Sequence, residues 1–144
     1  MLTQAEAATL LEMPKVLLEQ SPIEFPVMTE EIQLDAVGES GREKFIFDVN
    51  RKGKLKISKC TYQNRFEIVE TLLRLDIDGP MHVNPDGEEV PCPHLHIYDE
   101  RYGTKRAIPA PACFSNTTDL HATLRDFLKY CKVDSIPDIQ RRVE

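Results

Sequence analysis

Between Val90 and Pro111 the chain reads VPCPHLHIYDERYGTKRAIPAP, which sets Cys92, His94, His96 and Tyr98 at every second position ahead of Glu100, Arg101 and Tyr102. On a strand, a period of two puts both imidazoles and the Tyr98 phenol on one face and Leu95 and Ile97 on the other. Imidazoles titrate near neutral pH, so two of them beside a carboxylate and a guanidinium are equipment for acid–base chemistry on a phosphodiester. In this reading His94, His96 and Glu100 transfer protons, and Arg101 or Lys105 stabilises charge on phosphorus. His82 enters from the preceding loop, and with Tyr98, Tyr102 and Lys105 it is expected to contact the substrate. Leu95 and Ile97 belong to the core, which leaves the histidines on solvent or a groove and out of the core.

The same stretch has a metal reading. Cys92-x-His94-x-His96 carries donor types suited to zinc, but structural zinc sites pair one such knuckle with a second. No second knuckle follows, so neither a metal nor another cofactor is expected. A His-x-His followed by a carboxylate also occurs in cupins; here six residues separate Gly87 from His94 and the second cupin half is missing, so that reading is rejected. The plainest alternative makes the histidines surface strand residues, or partners for backbone groups of the proline-rich loop before them.

Charge is unevenly distributed. The net charge of −6 divides into −7 over residues 1–50, from 3 basic and 10 acidic residues, and −5 over residues 66–144. Between them, RKGKLKISKCTYQNR holds 6 basic residues and no acid. Arg51, Lys52, Lys54, Lys56 and Lys59 could therefore hold phosphates locally, although the overall charge argues against a general nucleic-acid binder. The competing reading makes these lysines guards of an exposed strand edge. The four cysteines are scattered, consistent with reduced thiols that mostly fill core space. The N-terminus lacks a basic n-region and a cleavage site, and no apolar run could span a bilayer, so a cytoplasmic protein without membrane association is expected. Phosphate-binding glycine loops and nucleophile elbows are missing.

These groups need a scaffold. Thr3 and Glu6 form a capping-box pattern that opens a helix, broken near Pro14, with KVLLEQ read as a further turn. From residue 30 the apolar period becomes two. EEIQLDAV, EKFIFDVN, KLKISKCTY and FEIVETLLRLDIDG read as strands joined by turns, with Val69, Thr71, Leu73, Leu75 and Ile77 on one side of the last. GPMHVNPDGEEVPCP is a long surface loop before the histidine strand and its partner TKRAIPAP. SNTTDLHATLRDFLKYC is a helix capped by Asn116 or Thr117, and SIPDIQRRVE a tail. The expected product is one α+β domain over 1–144: an antiparallel sheet of five or six strands in meander order, flanked by an N-terminal and a C-terminal helix.

The stretch GPMHVNPDGEEVPCPHLHIYDERYGTKRAIP resembles the signature of an uncharacterised family of small bacterial and prophage-encoded proteins: Pro-His-Leu-His-x-Tyr, then Tyr-Gly and a lysine-bearing strand. MLTQAEA and DFLKYC agree more loosely, and Arg106 stands where that pattern has an aromatic residue. The resemblance implies a mobile-element or defence setting, in which small toxins, antitoxins and inhibitors are common. Two functions follow. One is a toxin-like, metal-independent ribonuclease with RNA along the sheet. The other is a non-catalytic protein-binding module, a phage-type inhibitor or antitoxin-like partner, that uses its acidic segments as contacts.

Overall fold

The computed structural model describes residues 1–53 and 56–142. Helix α1 (Gln4–Glu12) starts at Thr3, whose hydroxyl accepts from the Glu6 amide while the Glu6 carboxylate accepts from the Thr3 amide. It ends ahead of Pro14, which cannot continue the ladder. The residues after Pro14 add no helical turn: Lys15–Leu17 form strand β1.

The strands that follow are β2 (Ile23–Glu24), β3 (Glu31–Gly38), β4 (Lys44–Asn50), β5 (Cys60–Phe66), β6 (Glu70–Ile77), β7 (His82–Val83), β8 (Glu89–Val90), β9 (His94–Ile97) and β10 (Ala107–Pro109). Helix α2 (Leu120–Tyr130) precedes β11 (Val133–Asp134) and β12 (Ile139–Gln140). The expected meander is present as β3, β4, β5, β6, β9 and β10, but β1 and β11 extend it to eight strands, in the order β10-β9-β6-β5-β4-β3-β1-β11. The β1–β11 pair is parallel. The C-terminal stretch is also tied down, because Ile139 and Gln140 pair with Ile23 and Glu24.

Two strands are phased differently from the reading of their sequences. Within KLKISKCTY, β5 begins only at Cys60; Ile57 is exposed, and Lys54 and Leu55 lie outside the described residues. In β6, Thr71 pairs with Arg65 and Leu73 with Asn64, so Leu72 is an extra residue in a bulge. The bulge reverses the alternation: Leu72 and Leu73 are both buried, whereas Val69 is exposed.

One face of the sheet carries Phe45, Phe47, Val49, Tyr62, Leu75 and Leu95, all buried in one cluster with Leu120, Leu124, Phe127 and Leu128 of α2. Phe127 meets Phe47 edge-on at 6.4 Å and Tyr62 at 5.9 Å, and the Tyr62 hydroxyl donates to the Leu120 carbonyl at 2.7 Å. The cap of α2 is Asp119, not Asn116 or Thr117; its carboxylate accepts from the Ala122 amide. Helix α1 contributes Ala7 and Leu10 to the same cluster. Lys15 joins the helix ends: its buried ammonium donates to the carbonyls of Met13 and Cys131, each at 2.9 Å. A cation there complements the negative C-terminal ends of α1 and α2. No helix among the described residues is long and apolar enough to cross a membrane.

Candidate functional site

The opposite face of the sheet is polar, and its residues fall into two cross-strand rows. Asp48 pairs with Gln63, Gln63 with Arg74, and Arg74 with His96; Asn50 pairs with Thr61, Thr61 with Asp76, and Asp76 with His94. Alternation fixes these rows, because Tyr62, Leu75 and Leu95 between them turn to the core. At one end Asp48 is taken by Arg65 in a two-pronged pair, at 2.7 and 2.9 Å. The histidine end is different, because a loop folds over it.

That loop is the hairpin of β7 and β8. Its buried Asn84 imitates a neighbouring strand: the side-chain amide donates to the Ala107 carbonyl at 2.9 Å and accepts from the Ala107 amide at 2.8 Å. Backbone groups at the edge of β10 are thereby satisfied and the hairpin is fastened over β9. His82 then lies with its ring 4.6 Å from that of His96 and 5.8 Å from that of His94, which are themselves 5.0 Å apart. Beneath this cover His94 and His96 are only 3% and 1% exposed, yet they lie on the groove face and outside the apolar core cluster.

Each ring is held by a main-chain carbonyl. His94 Nδ1 lies 3.1 Å from the Val90 oxygen, His96 Nδ1 lies 2.7 Å from the Thr104 oxygen, and His82 Nε2 lies 2.6 Å from the Lys105 oxygen. A carbonyl only accepts, so the ring nitrogen donates in each case. With Nδ1 so engaged, His94 and His96 both present Nε2 to Asp76 Oδ2, each at 3.2 Å. Arg74 reaches Asp76 Oδ1 through Nε at 3.1 Å and Oδ2 through Nη2 at 3.3 Å, and its Nη2 is 3.1 Å from His96 Nε2. Burial alone would raise the Asp76 carboxyl, but the close approach of His96 and the Arg74 guanidinium outweighs it and holds the pKa at about 2. The cluster opens into a groove of about 510 Å³ that Lys59, Thr61, Gln63 and Asp78 also line.

The other expected site residues lie elsewhere. Tyr98 is in the core, with its hydroxyl donating to the Leu2 carbonyl, because the chain leaves β9 at Ile97 and the alternation stops there. Glu100 faces α1, where its carboxylate accepts from the Gln4 amide at 2.9 Å. Arg101 and Arg106 stack on Tyr102, at 5.1 and 5.6 Å from the ring centre. Lys105 meets the cluster through its carbonyl. Arg51 is buried and donates to the carbonyls of Pro26 and Ile57. Lys52 and Lys56 lie near Glu31 and Asp78, and among the described residues of the expected basic segment it is Lys59 that lines the groove. Cys92 Sγ is 3.6 Å from His94 Nδ1.

Sequence reading missed Asp76, Arg74 and Asn84. A signal for the first two exists: in LRLDI they alternate with Leu73, Leu75 and Ile77, so they share the face opposite the core. Asn84 has no such signature.

The chain belongs to a family of unknown function, DUF6978, whose model matches residues 2–133. That the family is one of unknown function agrees with the expectation of an uncharacterised family. Searches of curated proteins and of solved structures gave no match.

Proposed function

We propose that the groove binds and cleaves RNA, and that the protein is a small toxin-like ribonuclease of a mobile-element or defence setting, acting in the cytoplasm. The observation that carries this reading is the convergence of His94 and His96 on Asp76 in a groove that also holds Lys59 and Arg74. These are a proton-handling centre and two cations for phosphate. The RNA 2′-hydroxyl would attack phosphorus; the O2′–P bond forms and the P–O5′ bond breaks. The 2′ proton passes to the centre and a proton goes to the departing 5′ oxygen, giving a cyclic phosphate and a 5′-hydroxyl. Glu100 and Arg101 have no part in this version, because they point to α1 and to Tyr102.

The test is a gel assay of mixed-sequence RNA with wild type, Asp76→Asn and Glu100→Ala, each checked for fold by circular dichroism. Cleavage by wild type and Glu100→Ala but not by a folded Asp76→Asn supports the reading. Equal cleavage by Asp76→Asn removes it.

A second reading, the protein-binding module, draws on the exposed acidic hairpin tip of Asp86, Glu88 and Glu89 and on the net charge of −6. It predicts that Glu88→Lys/Glu89→Lys weakens capture of a partner while Asp76→Asn does not. A partner indifferent to the reversal would count against that surface.

A further inference from the structure

We propose that Asp76, His94 and His96 form a binding site for a divalent transition-metal ion of the zinc class. The inference deepens the reading above, since it rests on the same groove being the reactive centre.

The proton inventory is the first argument. With Nδ1 of both rings donating to carbonyls, each neutral imidazole has a lone pair at Nε2. Both lone pairs face a carboxylate oxygen at 3.2 Å, so three acceptors converge on one point. Arg74 supplies a donor to His96 Nε2 and to Asp76, while the Cys92 thiol lies 3.9 Å from His94 Nε2. A single cation between the three acceptors satisfies all of them.

Geometry and chemistry agree with this. Ligands bound to zinc at about 2.0–2.1 Å in a tetrahedron stand roughly 3.3 Å apart, and the two histidine-to-aspartate separations are 3.2 Å. One donor atom from each of the three residues lies within 4.8 Å of the others. Metal-binding histidines usually donate their second ring N–H to a carbonyl or carboxylate, which fixes the tautomer and the aim of the ring. Val90 and Thr104 serve that purpose here. Two imidazoles and one carboxylate are the donor set of catalytic sites that keep an open position, and all three residues line the groove.

Charge gives a third argument, which links the ion to the substrate. Lys59 and Arg74 share the groove with Asp76 and Asp78, which offset part of their charge. A divalent ion makes the groove cationic, and water on such an ion ionises near pH 7. Lewis-acid and base functions would then be available at one point, beside Arg74.

The test uses the full chain, stripped with chelator and dialysed, titrated with Co²⁺ and with Zn²⁺. Calorimetry gives stoichiometry, and the visible Co²⁺ spectrum reports a low-coordinate site. One ion per chain in wild type is expected, with an affinity loss in Asp76→Asn and His96→Ala greater than the roughly 10–100-fold typical of outer partners. Arg74→Ala should bind at least as tightly, because a competing cation is gone. Zn²⁺ should raise the melting temperature of wild type and leave that of Asp76→Asn unchanged. Failure of wild type to take up one ion overturns the proposal, however the variants fold; so does undiminished uptake by a folded Asp76→Asn. Uptake without RNA cleavage keeps the metal site and removes the ribonuclease. Cleavage by stripped protein that takes up no ion does the reverse.

Discussion

The two faces of the sheet are built from the same strands and closed in different ways. On β5, β6 and β9 the residues Tyr62, Leu75 and Leu95 meet α2, an apolar stripe that needs only shape and area. Their neighbours Gln63, Arg74, Asp76, His94 and His96 point the other way and are covered at one end by a hairpin fastened through Asn84. A helix closes the first face by burying hydrocarbon. The second is closed by hydrogen bonds, each to a specific partner, and so it retains groups with unspent chemistry. Burial on that face gathers polar groups, whereas burial on the helix face gathers hydrocarbon.

The comparison breaks most completely at Leu95, which is 0% exposed on the helix side. Leu95→Asp places an unpaired charge in the core and should abolish the cooperative thermal transition; a folded variant would mean the faces are assigned the wrong way round. Phe127→Ala removes the ring against Phe47 and Tyr62 and should cost about 3–5 kcal/mol by urea denaturation. A cost near zero would show that α2 is not the principal cover.

Lys15 tests the core side by pH. Burial lowers its pKa from 10.5 to about 8, so between these values the unfolded chain binds more protons than the folded one. The stability contributed by this group therefore rises with pH across that window, by about 3 kcal/mol in all. Denaturant midpoints of wild type should climb relative to Lys15→Met from pH 8 to 10.5; parallel curves would refute the assignment.

On the polar side, Asn84→Ala leaves two groups of Ala107 without partners and should cost about 2 kcal/mol. Hydrogen exchange should quicken at Ala107 and in β7–β8 while α2 stays protected; uniform quickening would make the hairpin part of the core unit. The smallest effect is expected at Glu100, an exposed residue bonded to α1. Glu100→Ala should change stability by less than about 0.5 kcal/mol, and a large loss of RNA cleavage would return it to the site.

Local rules carried much of the fold. The Thr3–Glu6 cap, the break at Pro14 and the meander were all legible, because each depends on neighbours within a few residues. The bulge at Leu72 was not, since only the partner strand shows that an extra residue has been inserted. Likewise β1 and β11 are short, and their pairing joins residues 15–16 to 133–134. His82, His94 and His96 lie together, whereas Tyr98, Glu100 and Arg101, their neighbours in sequence, part from them once the chain leaves β9.

By itself, then, the sequence determined periodicity: which residues share a strand face, which stretches cap or break, and that His94 and His96 point the same way. Tertiary structure alone decided their company. Cross-strand register brought Asp76, 18 residues away, to within 3.2 Å of His94 Nε2, and two distant carbonyls set which nitrogen of each ring faces it. The physical reason is range. Alternation is a property of each backbone step, whereas a ligand set depends on strands that pair only when the whole sheet has formed.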